Sequence, residues 1–150
     1  MLNPNYLNVL RKIYTRLANT NINWVVTGSL SFALQGIALE PHDIDIQTHE
    51  VGAYEIERLF SGFVTRKVTF SSNGKIRSHF GALSIDGIQV EIMGDISKRL
   101  DDETWEEPVN LARHKRIIMV EDMHIPVLSL EYEYHAYLKL ARIEKAQILK

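Results

Sequence analysis

Two aspartates separated by one residue, in Asp43-Ile44-Asp45, are the part of this chain best suited to chemistry. From His42 to Gln47 polar and apolar residues alternate with period two, as in a half-buried strand with Ile44 and Ile46 facing the core. Residues two apart on a strand share a face, with Cα atoms about 6.5–7 Å apart, so both carboxylates can converge on a hard cation. Glu91 has a similar setting in Ile88-Gln89-Val90-Glu91-Ile92-Met93, where Ile88, Val90 and Ile92 form one face and Glu91 points to the other. If these strands are neighbours, three carboxylates line one patch of sheet. Two unit charges about 5 Å apart repel by about 3 kcal/mol at an effective dielectric of about 20, so such a cluster needs a cation, a basic neighbour or a retained proton. All-oxygen ligands suit Mg²⁺, which one or two carboxylates bind while substrate phosphates complete its octahedron. The same residues also fit solvent-facing acids on ordinary amphipathic strands.

A second feature is the turn Gly28-Ser29, between a strand-like Trp24-Val25-Val26 and a short helix that begins near Phe32 and that Gly36 can close. Ser29 suits the helix N-cap. Free backbone N–H groups and a hydroxyl at a helix start can hold a phosphate oxygen, though a Gly-Ser turn is also a common structural device. Neither GxxxxGK[ST] nor GxGxxG occurs, so this is not a Walker loop or a dinucleotide fingerprint.

The elements that must position these residues are legible as a mixed set. An amphipathic helix is expected over roughly residues 5–19, with Tyr6, Leu7, Leu10, Ile13, Tyr14 and Leu17 on its apolar side. A helix follows over 50–60, then strands Phe63–Phe70, Ile76–Ile85 and Ile88–Met93 joined by Ser72-Asn73-Gly74 and Asp86-Gly87, a plausible meander. Asp95–Val109 has no clear period, and Trp105 reads as an anchor there. Short strands at Ile117–Val120 and Ile125–Leu128 precede a last helix from about Leu130 to Leu149. Irregular interleaving of strands and helices favours an α+β fold, a mixed sheet with helices, in one domain spanning 1–150.

Composition narrows the function. With 17 Lys+Arg against 19 Asp+Glu, the near-neutral chain does not predict strong binding to nucleic-acid backbones. The absence of cysteine rules out disulfides, thiolate zinc sites, iron–sulfur clusters and a cysteine nucleophile. No apolar run exceeds about four residues, and the first residues lack a secretion signal, so a soluble cytoplasmic domain with no membrane partner is expected. His42, His49, His79, His114, His124 and His135 show no helical zinc spacing, and no Gly-x-Ser-x-Gly elbow supports a serine hydrolase.

Taken together, Gly28-Ser29, thirteen intervening residues, Asp43-Ile44-Asp45 and the distal Glu91 resemble the nucleotidyltransferase superfamily, whose fold is shared with the palm of DNA polymerase beta. The string from Gly28 to Gly36, leading through Glu40-Pro41-His42 to Ile46, is similar to small bacterial members such as the lincosamide and aminoglycoside enzymes. The resemblance covers roughly residues 22–95 and implies a palm-like mixed sheet with helices packed on one face. It implies that Asp43, Asp45 and Glu91 are catalytic and hold Mg²⁺ or Mn²⁺, with Glu91 also a candidate base. It further implies that Gly28 and Ser29 hold the triphosphate tail of an NTP, first of all ATP. The chain departs from the pattern in having Glu40-Pro41-His42 where many relatives carry a basic residue, so another group must offset the phosphate charge. In related domains a basic C-terminal helix can approach the phosphates. Lys139 is the candidate here, followed by Arg142 and Lys145, although Glu131, Glu133 and Glu144 among them also fit a solvated face. Arg77-Ser78-His79 is a further candidate for the cleft. The implied reaction is nucleotidyl transfer to a hydroxyl of a small molecule or protein, with a homodimer as one way to complete the acceptor pocket. The alternative is a catalytically idle, antitoxin-like binding module.

Overall fold

The computed structural model describes residues 3–139. Helix α1 (Pro4–Leu17) begins where the Asn3 side chain accepts the Asn5 N–H, with proline in the first turn, where a missing N–H costs nothing. Its Val9, Leu10, Ile13 and Leu17 are buried. Strand β1 (Trp24–Thr27) runs directly into α2 (Gly28–Leu34), and β2 (Ile44–Thr48) leads to α3 (Glu50–Leu59). After a 3-10 turn at Ser61–Phe63 come β3 (Val64–Ser72), β4 (Ile76–Ile85) and β5 (Ile88–Lys98), the expected antiparallel meander. Asp86 and Gly87 join β4 to β5 with φ of 52° and 81°, the positive pair a two-residue hairpin turn requires. The one-turn helix α4 (Leu111–His114), β6 (Lys115–Val120), β7 (Met123–Leu128) and α5 (Leu130–Lys139) complete the described chain. Among the described residues no helix is long and apolar enough to cross a membrane.

The seven strands form one mixed sheet in the order β3-β4-β5-β2-β1-β7-β6. Among the described residues, parallel pairing occurs at β2–β5 and β1–β7 only, as expected of an α+β fold rather than a regular parallel one. Residues of α1 and α3 cover one face, where Val26, Ile44, Ile46, Val90 and Ile92 join Leu10, Ile13, Ala53 and Ile56 in the main core. The opposite face carries a smaller cluster of Val25, Val109, Leu111 and Leu128, against which Ile96 and Tyr132 pack. The rest of that second face is open and forms a cleft.

Strand β5 continues past its expected end at Met93 to Lys98, and the reason is a bulge. Gly94 pairs with His79 but Ser97 pairs with Arg77, so β5 holds one extra residue there, and Asp95 takes a left-handed φ of 51°. The extra residue reverses the alternation. Ile96 and Lys98 therefore return to the cleft face already occupied by Glu91 and Met93. Period two breaks at this point, which hides the strand in the sequence.

Candidate active site

The acidic strand lies where the sheet changes direction. Asp45 pairs with Thr27 across the antiparallel β1–β2 contact and with Glu91 across the parallel β2–β5 contact. Thr27, Asp45 and Glu91 thus form one row across three adjacent strands and line a cleft of about 520 Å³, a volume in the range of small-molecule sites. Asp43 sits at the bend just before β2, half-buried and outside the cleft lining. Among the described residues, no three His, Cys, Asp or Glu side chains are already gathered to hold a metal ion. The structure therefore brings two of the three expected acids side by side and leaves the third outside the cleft lining.

Gly28 is shaped by Asp45. Its φ is +72°, and a Cβ at this position would collide with Asp45 Oδ2. A left-handed non-glycine residue costs about 1–2 kcal/mol before any clash, so Gly28→Ala is expected to destabilise the protein by at least that much. Gly36→Ala shares the positive φ, at +96°, but meets only open space. Urea unfolding of the two variants separates strain from collision, with Gly28→Ala the more destabilised; equal losses would mean that Asp45 does not crowd the turn.

Ser29 is not the cap of α2. Thr27 occupies that position and makes no side-chain cap bond, because its hydroxyl donates to Glu133 Oε1 instead. The Ser29 hydroxyl accepts the His42 N–H at 3.1 Å and ties α2 to the entry of β2, outside the cleft lining.

The main correction concerns Glu133, which fits a solvated helix face in the sequence but is only 4% exposed. Ser129 caps α5 by accepting the Tyr132 N–H at 3.1 Å, which sets Glu133 one turn in and over the end of β1. Oε1 accepts the Gly28 N–H at 3.0 Å as well as the Thr27 hydroxyl, while Oε2 is buried with no hydrogen-bond partner among the described residues. Burial pushes the Glu133 carboxyl up to about 8, and the charge of Asp45 adds to this against the opposing hydrogen bonds from Thr27 and Gly28. A sequence signal existed: Leu130, Glu133, Tyr134 and Tyr137 share a helical stripe, so Glu133 interrupts an apolar face.

Basic groups meet the cleft elsewhere. Lys98 lines it, 6% exposed, with Nζ 3.6 Å from Glu106 Oε1 and 5.5 Å from the centre of the Tyr132 ring. Burial, followed by the charges of Glu106 and Glu133, pushes the Tyr132 phenol up to about 12. Arg66 also lines the cleft, its guanidinium 4.8 Å from the Phe80 ring centre. Of Arg77-Ser78-His79 only Ser78 reaches the lining. Arg77 lies over Trp105 at 4.4 Å, giving that tryptophan the expected anchoring role, and His79 contacts Tyr54 and Glu50. Lys139 ends α5; its side chain, with Arg142 and Lys145, lies outside the described part of the structure.

Comparison with known proteins places this geometry. The family model of Aminoglycoside-2''-adenylyltransferase matches residues 9–148. The crystal structure of TM1012, a candidate nucleotidyltransferase from Thermotoga maritima, is 69% identical, with a TM-score of 0.92 over 99% of this chain and 92% of that one. The antibiotic-resistance factor ANT(2'')-Ia shares the fold at 14% identity, with a TM-score of 0.64 over 99% of this chain and 84% of its own. The lincosamide antibiotic adenylyltransferase LnuA, bound to lincomycin, does so at 12% identity, with a TM-score of 0.58 over 99% of both chains. No curated protein sequence matches.

Proposed function

The chain belongs to the Aminoglycoside-2''-adenylyltransferase family, and from that premise we propose that it moves a nucleotidyl group from an NTP, first of all ATP, to a hydroxyl of a small-molecule or protein acceptor. Pyrophosphate leaves as the acceptor oxygen bonds to the α-phosphorus. The observation that carries this reading is the in-register pair Asp45 and Glu91 on parallel strands, facing the cleft beside Gly28.

The donor set fits Mg²⁺ or Mn²⁺, since all its ligands are hard oxygens and two carboxylates suffice when substrate phosphates supply the others. Asp45 and Glu91, with Asp43 two positions upstream on the same segment, would hold the ion. When bound, it would offset the charge on the transferring phosphoryl group. Glu91 is also the proposed base for the acceptor's hydroxyl proton. Gly28 and Ser29 are the proposed seat of the phosphate tail, and at Gly28 the N–H must exchange Glu133 Oε1 for a phosphate oxygen. Lys139 is a further proposed contact for the tail.

Adenylyl-2''-tobramycin in an ANT(2'')-Ia complex and lincomycin in LnuA make amino sugars and lincosamides the first acceptors to test, alone and across a dimer. Pyrophosphate release with Mg²⁺, each of the four NTPs and these acceptors is the measurement. Release with one pairing is expected. Silence throughout, together with no calorimetric binding of Mg²⁺–NTP, would leave the idle binding module, which the occupied Gly28 N–H and the ungathered acids favour.

A further inference from the structure

Register places a second row of side chains beside the acids. Glu91 lies between Asp45 and Ala82, and Ala82 in turn pairs with Arg66 of β3. Two residues along the same strands, Met93 pairs with Gln47 on one side and with Phe80 on the other. Gln47, Met93 and Phe80 thus form a row about 6.5–7 Å from the acids, and all three line the cleft. Gly28 lies on the other side of the acid row, because β1 runs antiparallel to β2 and Gly28 follows Thr27, the partner of Asp45. Phosphoryl-type transfer keeps the attacking and leaving oxygens roughly in line. With the phosphate tail on the Gly28 side, the acceptor enters over Gln47, Met93 and Phe80.

Two observations on this side point to a ligand of defined chemistry. Gln47 is only 8% exposed, yet its Oε1 is buried with no hydrogen-bond partner among the described residues. A buried amide oxygen left unpaired bears the full cost of its lost hydration, which a hydroxyl donor on a bound molecule removes. Arg66 is exposed, and among the described residues its side chain makes no ion pair or hydrogen bond, whereas Lys98 of the same lining holds Glu106. The Arg66 guanidinium leans from β3 over the Phe80 ring of β4, 4.8 Å from its centre, so its charge stands beside the row. A guanidinium held over an aromatic ring keeps its N–H fork free for a carboxylate or phosphate. The acids of the lining, Asp45, Glu91 and Glu133, belong to β2, β5 and α5, so no acid of β3 or β4 in the lining offsets that charge.

Resting on the nucleotidyl-transfer reading, we infer that the acceptor is a small hydroxyl-bearing acid, seated on Gln47, Met93 and Phe80 with its carboxylate or phosphate on Arg66. Its hydroxyl oxygen bonds to the α-phosphorus, pyrophosphate leaves on the Gly28 side, and the hydroxyl proton passes to Glu91. Pyrophosphate release by the full chain, with Mg²⁺ and the NTP that it binds by calorimetry, is measured with glucuronate, glucose 6-phosphate, glucose and tobramycin. The kcat/KM for at least one of the two anionic sugars is expected to exceed that for glucose by about tenfold, the scale of a hydrogen bond to a charged group. The better of the two tells carboxylate from phosphate. Arg66→Gln is expected to erase the margin over glucose while NTP affinity stays unchanged. Gln47→Leu is expected to raise the acceptor KM about threefold with no loss of stability in urea, since it removes an unpaired buried oxygen. Preference for glucose or tobramycin, or no turnover of any of the four by a parent that binds Mg²⁺–NTP, overturns the acidic acceptor. The seat itself is overturned if Arg66→Gln keeps the margin or weakens NTP binding, or if Gln47→Leu leaves KM unchanged. A parent that binds no Mg²⁺–NTP removes the nucleotidyl-transfer reading instead, whereas turnover of tobramycin keeps that reading and removes this inference alone.

Discussion

Asp45→Asn is expected to leave a folded protein whose pyrophosphate release is at least about 10³-fold slower, the scale of losing a principal electrostatic group at a transferring centre. The substitution keeps the side-chain shape, so the tight approach to Gly28 survives and the loss reads charge rather than packing. Glu91→Gln should fall by a similar factor, because paired ligands act as a unit and removing either disables both. The three-acid proposal demands the same of Asp43→Asn. An unchanged rate there would strike Asp43 from the set and leave the Asp45–Glu91 pair, consistent with Asp43 lying outside the cleft lining. Steady-state turnover and urea unfolding of each variant are the measurements. An Asp45→Asn protein that keeps more than about a tenth of the parental rate, against the far larger loss such groups normally cause, would end the proposed catalytic role of that carboxylate.

The acids were readable because a strand's period of two is simple: buried Ile44, Ile46, Val90 and Ile92 on one side oblige Asp45 and Glu91 to face the other. Their meeting was not readable, since nothing local specifies that β2 and β5 lie parallel and in register 46 residues apart. The hairpin at Asp86-Gly87 was legible from turn chemistry, and the membership of Ile96 and Lys98 in β5 was not, because a bulge breaks the period that reveals a strand. Ser29 shows the opposite failure. Local propensity made it a cap, and a tertiary contact with His42 claimed its hydroxyl instead. Glu133 lay among charged neighbours on a helix whose placement over β1 depends on the β1–β7 pairing, a long-range contact.

Glu133 also gives the stability of this protein an unusual pH dependence. An unfolded glutamate titrates near 4.5, whereas burial raises the folded carboxyl to about 8. Between those values the folded state holds one more proton than the unfolded state, so this group's contribution is fully present below about pH 4.5 and fades as the pH rises through about 8. The full shift corresponds to an upper bound on the order of 5 kcal/mol, which water entry and local relaxation reduce. Glu133→Gln offers the same acceptor oxygen to Thr27 and Gly28 without a charge to bury. Its stability relative to the parent should therefore improve by about 2 kcal/mol or more between pH 5 and pH 8.5, measured by urea unfolding without metal or nucleotide. Taking the difference between the two proteins cancels titration of groups they share, including the lowered His114 imidazole. Parallel stability curves for parent and variant would mean that the Glu133 carboxyl reaches solvent, and that α5 does not seal the head of β1.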